Sequence, residues 1–451
     1  MPYVLPTNPL EDCPVSPEIQ EAIQKARIFG WWDFPLDDVG VDELEFTDND
    51  IAYWHYTSGN PVTRTKRQVS EAIFKDNASI VRLPKGFKAK QSLTLGGAGD
   101  LIRANGLEQS KDILFEGIED ILFRKDVLIS NYESVVVDEQ VAKNYAVDGK
   151  SFIMCCSEAQ YKTLTGHKGR CFDILNVANN HSLDMGCQAL SLTQNLMERD
   201  GIVDIGAPRT PEEYGRAKVF SCNGIRLGLV SVTFSLNGLP VPEGKDFRVH
   251  TSKLMSRHVP TDLTLLRAQI QDCKEKGCDF IIASIHWGVE FEFFPRLRQI
   301  EAAHSLIEEG VDLILGHHPH VIQPVEYYRT KRDPNRVAVI AYSLGSLTWG
   351  WYTDPHLILS LVVNFGLAKG RHGKETKTYI ESAAAIPVFR NIVRDGDRAL
   401  MRIEKLWDHI SLDDHDASSI RKMKEYFDLA MGGCSTKAHS SRPVNIGGSP
   451  V

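Results

Sequence analysis

Hydrophobic positions along this chain follow two rhythms that alternate from about residue 92 to about residue 342. Apolar runs of strand length occur at 92–100, 127–130, 172–178, 225–234, 279–285, 312–315 and 337–342. Each is read as a buried strand, the first closing in a Gly-rich turn at Gly96-Gly97-Ala98-Gly99. Between them lie segments whose apolar residues return every three or four positions, the mark of a helix with one buried face. These are 107–123 (Ile113, Leu114, Ile118, Ile121 and Leu122 in phase), 187–199, 263–276 and 297–309. Gly201, Gly277 and Gly310 supply the stops of the last three. Strand and helix in succession predict an α/β domain around a largely buried sheet.

The first 90 residues break this rhythm. They carry prolines at 2, 6, 9, 14 and 17, helical spacing around 18–28 and 66–74, and aromatic clusters at residues 29–34 and 53–56. Residues 1–90 are read as an N-terminal extension. Its aromatics are expected either to pack it onto the main domain (91–408) or to line an apolar groove for a substrate. Residues 409–451 are expected to hold an amphipathic helix at 417–430 and then a mobile Gly/Ser/Pro-rich tail.

Composition narrows the classes. At 42% hydrophobic and 24% charged, the 451 residues suffice for a sizeable core. Fifty-one basic against 59 acidic residues leave a net charge of -8, which argues against nucleic acid or anionic membrane as the main partner. No apolar run reaches the length of a membrane span, and the N-terminus has no secretory pattern. The nine cysteines are odd in number and form no CxxC pair, so reduced thiols and a cytoplasmic location are expected.

The polar chemistry gathers where apolar runs stop. The ends carry Asp100; Asn131 and Glu133; Asn179-Asn180-His181 with Asp184; His286 with Glu290; and Gly316-His317-His318-Pro319-His320. Any one of these has an ordinary reading as a turn or a satisfied structural residue. Five on one sheet point to a shared site, because ligands of open α/β sheets bind at the carboxyl ends of strands. Carboxylate, amide and imidazole donors suit a divalent cation such as Mn, Ca, Fe or Zn. Such an ion polarises a carbonyl or phosphoryl oxygen, and imidazole moves protons near neutral pH.

Asn131-Tyr132-Glu133, residues 179–186 (Asn-Asn-His-Ser-Leu-Asp-Met-Gly), His286-Trp287-Gly288-Val289-Glu290, residues 316–323 and Tyr342-Ser343-Leu344-Gly345-Ser346 resemble the successive motifs of the CapA family. That family is named for poly-γ-glutamate capsule synthesis and belongs to the calcineurin-like metallophosphoesterase superfamily. The likeness runs from about residue 92 to about residue 400. It implies a calcineurin-like two-sheet α/β sandwich flanked by helices, with one or two metal ions at the sheet ends. By position, Asp100 resembles the first ligand Asp, Glu133 the bridging acid, and Asn180 the Asn ligand beside His181, the acid/base histidine. His286 resembles the lone strand-end ligand, while His318 and His320 resemble the closing pair. Asp184 is placed to orient His181, and Glu290 to play a similar part beside His286. Two positions depart from the pattern: Ile102 stands where an Asp-x-His motif needs histidine, and Glu133 stands for the usual aspartate.

The expected function is that of a metal-dependent acid/base enzyme acting on a peptide or polyglutamate-like chain. One form is Cα epimerisation, with His181 and either His286 or His320 on opposite faces of the carbon, as the family's peptide-tailoring branch suggests. The other is amide hydrolysis. The alternatives are a phosphoester hydrolase and a non-catalytic protein that binds capsule polymer. The oligomeric state is left open.

Overall fold

Gly96 to Gly99 do not turn; they run on inside a 14-residue strand, Lys88–Leu101. The computed structural model describes residues 8–10, 13–75, 78–145, 152–396, 398–410 and 417–432. The principal strands are β1 (Lys88–Leu101), β2 (Val127–Tyr132), β3 (Ile174–Asn176), β4 (Val203–Ile205), β5 (Lys218–Cys222), β6 (Ile225–Thr233) and β7 (Phe280–His286). They continue with β8 (Leu313–His317), β9 (Val325–Arg329), β10 (Val337–Ala341), β11 (Ser346–Thr348), β12 (Leu359–His372), β13 (Glu375–Asp395) and β14 (Arg398–Lys405). One sheet has the order β14-β13-β12-β1-β2-β3-β4, with β11 also beside β1. The other has the order β9-β10-β8-β7-β6-β5. The fold is the calcineurin-like α/β sandwich that the motifs imply.

The inner faces meet in one core, where Leu93, Leu95, Ile129 and Ile174 of the first sheet join Leu229, Ile282, Leu315 and Ile340 of the second. Each such side chain stabilises the fold by roughly 1.5–3 kcal/mol when buried. Helices Thr264–Glu275 and Leu297–Glu309 add Leu266, Ile270, Ala303 and Leu306 to that cluster. Helix Gly186–Arg199 packs Leu190 and Met197 with Leu128 and Leu175 of the first sheet.

Glycine in β1 answers a need for close approach. A Cβ on Gly99 would lie 2.1 Å from the carbonyl oxygen of Gly345, the residue leading into β11. A Cβ on Gly316 would lie 1.9 Å from the Tyr342 carbonyl oxygen. Each glycine directly precedes a site residue, Asp100 or His317. We therefore expect Gly99→Ala to destabilise the protein by about 3 kcal/mol, read as a lower urea midpoint with an unchanged slope. A wild-type midpoint would show that the two backbones separate at little cost.

Residues 107–123 also differ from expectation. They form short 3₁₀ turns at Leu107–Ser110 and Glu116–Ile118 rather than one helix. The backbone groups of this segment are committed elsewhere: Ile403 N–H donates to the Leu114 carbonyl at 2.8 Å, and Met401 N–H to Ser110 Oγ at 2.9 Å. A Cβ on Gly117 would lie 2.5 Å from the Ile403 oxygen, so β14 sits directly on the segment. Periodicity identified the buried residues correctly, but contact with β14 decided the backbone. Around 66–74 only Glu71–Phe74 is helical, as a 3₁₀ turn. The other helices lie close to their expected places, including Pro17–Phe29 and Ala417–Ala430. The tail expected to be mobile, at 433–451, lies outside the described residues.

The N-terminal segment is tied to the sandwich next to the strand ends. Val62 N–H donates to the Phe291 carbonyl, and Phe293 N–H donates to the Val62 carbonyl, each at 2.9 Å. Tyr53 Oη donates to Glu292 at 2.6 Å, and Arg296 reaches both Glu292 (2.7 Å) and the Leu36 carbonyl (2.6 Å). Trp32 packs edge-on against Tyr53 and Tyr56, whereas Phe29, Trp31 and Phe34 are exposed.

Candidate metal centre

Strand register assembles the site. Parallel pairing sets Asp100 of β1 beside Asn131 of β2, and Asn131 beside Asn176 of β3; Ser346 of β11 flanks Asp100 on its other side. In the second sheet, Thr233 of β6, His286 of β7 and His317 of β8 form a matching row. Residues scattered over more than 240 positions thus share one sandwich end because parallel strands finish together. The loops that follow add Glu133, Asn180, His181, His318 and His320.

Hydrogen bonds fix the donors. Asn131 Nδ2 donates to Asp100 Oδ1 at 2.9 Å, and Asn176 Nδ2 donates to Asn131 Oδ1 at 3.0 Å. Asn180 Oδ1 lies 2.8 Å from His286 Nε2, whose other close contact is Glu133 Oε1 at 3.4 Å. His320 Nδ1 is 2.8 Å from Ser346 Oγ and 3.8 Å from Asp100 Oδ2. His318 and His320 have positive φ angles, 98° and 57°. A non-glycine residue holds such a backbone only where its surroundings over-determine it. The turn aims both rings inward.

Asp100, Glu133 and His320 bring three donor atoms within 4.8 Å of one another; so do Glu133, His286 and His318, and so do Glu290, His318 and His320. Glu133 Oε1 and His318 Nδ1 are buried and have no hydrogen-bond partner among the described residues. A polar atom left thus costs stability unless something else meets it. Burial, and then the Asp100, Glu290 and Asp184 carboxylates, drives the Glu133 carboxyl well above the usual carboxylate range. Burial, and then neighbouring histidines, pushes His286 and His318 well below the ordinary imidazole value; His320 falls to about 4, chiefly through burial. Neutral imidazoles beside crowded carboxylates are what a divalent cation needs. The donor set fits one.

His181 stands apart from that set. Its Nδ1 lies 2.8 Å from Asp184 Oδ2, which also accepts from Met154 N–H at 2.6 Å. Burial opposes a charge on His181, but Asp184, assisted by Glu290 and Glu43, leaves its pKa above the usual imidazole value. Glu290 meets Trp54, His318 and His320 rather than His286: Trp54 Nε1 donates to its Oε2, and its Oε1 lies 4.0 and 3.9 Å from the two rings. Burial raises the Glu290 pKa to about 7.

Glu133, Asn180, His181, Glu290, His318 and His320 all line one cavity, whose outer wall is Val39, Val41, Glu43, Tyr53 and Trp54 of the N-terminal segment. His286 is fully buried behind it and Asp100 lies beneath, neither reaching the cavity surface. Of the N-terminal aromatics, Tyr53 both packs and lines the cavity, Trp54 lines it, and Trp32 only packs. Ile102, found where histidine was expected, also lines the cavity.

Sequence reasoning passed over His317 and Asn176 as site residues. His317 Nδ1 lies 2.7 Å from Asp100 Oδ1, and its Nε2 is buried without a partner among the described residues. Its place in the histidine cluster was a signal, as was the strand register with His286. Trp54 was marked only as one of the 53–56 aromatics, and its pairing with Glu290, a residue far along the chain, left no local signal.

The strand ends and donors define a calcineurin-like sandwich with a candidate metal centre. The chain belongs to the family described as bacterial capsule synthesis protein PGA_cap, which matches residues 90–349. The PGA biosynthesis protein CapA of Bacillus subtilis is 28% identical over 283 residues, covering 62% of this chain and 68% of that one. The capsule biosynthesis protein CapA of Bacillus anthracis is 24% identical over 277 residues, covering 59% and 63%. A probable polyglutamine synthesis accessory protein of Mycobacterium tuberculosis is 31% identical over 159 residues, covering 34% and 41%. Among the described residues no helix is long and apolar enough to cross a membrane.

Proposed function

We propose that this chain is a metal-dependent acid/base enzyme acting beside a carbonyl group of a peptide or polyglutamate-like chain. The observation that carries the reading is His181, paired with Asp184 and opening into the same cavity as Glu133, Asn180, His318 and His320. Asp100, Glu133, Asn180, His286, His318 and His320 would hold the cation, with Glu290 at its margin. A divalent ion held there would supply polarisation of a substrate carbonyl oxygen. Asp184 orients the His181 ring through Nδ1, leaving Nε2 as the atom that takes or returns a proton. Tyr53, Trp54 and Trp349 give the cavity aromatic walls. The family, and relatives named for polyglutamate and capsule synthesis, support a chain of amide-linked residues as substrate.

Two reactions fit one proton-carrying imidazole beside a polarised carbonyl: exchange of the Cα proton, with epimerisation, and hydrolysis of the amide. For the first, the second proton group is better sought at the cavity surface, in Glu290, than in the proposed ligands His320 or His286. Cys155, Cys156, Cys171, Cys187, Cys222, Cys273 and Cys278 carry free thiols, which supports a reducing, cytoplasmic setting. The test is incubation of the manganese-loaded protein with short peptides and with polyglutamate in heavy water. Deuterium at Cα assigns epimerisation, and new primary amine assigns hydrolysis. Phosphate release from an aryl phosphate, with neither of these, would overturn the reading in favour of phosphoester hydrolysis.

A further inference from the structure

We infer that the cavity selects a residue with a cationic side chain, such as lysine, ornithine or arginine, and disfavours the carboxylate side chains of polyglutamate. The inference rests on the peptide reading above and narrows its substrate class.

The cavity joins aromatic faces to carboxylates. Trp54 and Phe152 pack with ring centroids 5.5 Å apart, and Trp349 stacks on His320 at 4.1 Å. With Phe46 these rings line the cavity, along with Glu43 and Glu290. Among the described residues lining it, none is lysine or arginine. Glu43 lies at the exposed mouth, outside every candidate donor group for a metal, so an ion at the centre does not use it. Burial, opposed by His181 and reinforced by Asp184 and Asp42, raises the Glu43 pKa above the usual carboxylate value, and an arriving cation would offset that. Lys253 is engaged with Asp42, and Arg257 with Asp50.

Such a surface has a definite preference. Aromatic faces attract cations, and a carboxylate with no lysine or arginine beside it on the described cavity wall gains from receiving one. An incoming glutamate side chain would meet Glu43 at like charge and would find no guanidinium or ammonium on the described walls. A lysine side chain would lay its methylenes on the rings and bring its ammonium to Glu43.

The test is calorimetric binding of blocked tripeptides with central lysine, leucine or glutamate to the manganese-loaded protein, with the leucine peptide also supplied with a free amino terminus. The lysine peptide should bind about tenfold more tightly than the glutamate peptide. Glu43→Gln should remove most of that advantage, and Glu43→Lys should reverse it. Residue 43 is exposed, so both variants should fold, as circular dichroism would verify. Glutamate binding as tight as lysine, or an unchanged preference in Glu43→Lys, overturns the inference. A free-amine leucine peptide that matches the lysine peptide overturns the side-chain assignment. The two readings fail separately: lysine preference without turnover removes the enzymatic reading, and turnover without that preference removes only this one.

Discussion

Replacing His181 with alanine is expected to lower turnover about a thousandfold while leaving the fold and the metal content unchanged. The magnitude follows from the role, since a positioned acid/base group contributes roughly 10²–10⁴ in rate. The specificity follows from the geometry. His181 belongs to none of the three candidate donor groups, and its one side-chain hydrogen bond among the described residues is with Asp184. Removing the ring should therefore leave the donors in place. Asp184→Asn is the companion variant. It keeps the shape but loses the charge that holds the His181 pKa up, so the histidine should lose its proton at lower pH. Steady-state rates across pH, with metal analysis of each variant, check both. Full activity in His181→Ala would end its assignment as proton carrier, and loss of metal in that variant would make it a ligand instead.

The second large effect concerns the cation itself. Adding manganese or zinc to chelator-treated protein should raise its stability, by about 2.7 kcal/mol at a hundredfold excess over the dissociation constant. The gain arises because a cation would meet the stranded Glu133 Oε1 and His318 Nδ1 and relieve the crowding of Glu133 by Asp100 and Glu290. In Asp100→Asn the gain should shrink, while the metal-free protein should be little altered or more stable, because one carboxylate of the crowd is gone. Thermal unfolding with and without metal reads both quantities. A melting temperature indifferent to either ion would show that these donors satisfy one another without a guest.

Strand ends were the legible part of this protein. Asp100, Glu133, His286 and the 316–320 cluster could be marked because each follows an apolar run, and apolar runs stop where a buried sheet meets its loops. The same logic failed at β12 and β13, which the pattern did not announce. β12 is buried almost throughout, and β13 carries Pro387 and no clean alternation. Glycines 96–99 misled for a related reason. Glycine marks a turn when it supplies a positive φ, but here it supplies the missing Cβ that lets Gly345 approach. Tertiary contact decided residues 107–123 as well, where β14 captured the backbone of an otherwise helical pattern. The cavity wall was the least legible feature, because nothing local links Trp54 to Glu290.

That wall has a practical consequence. Residues 90–349, which the family shares, carry every donor to the proposed ion, whereas Glu43 and Trp54 come from upstream. Substitution in the upstream segment can therefore alter the cavity wall while leaving the candidate donor set unchanged. The proposed side-chain preference should therefore shift with substitutions at residues 39–54 alone.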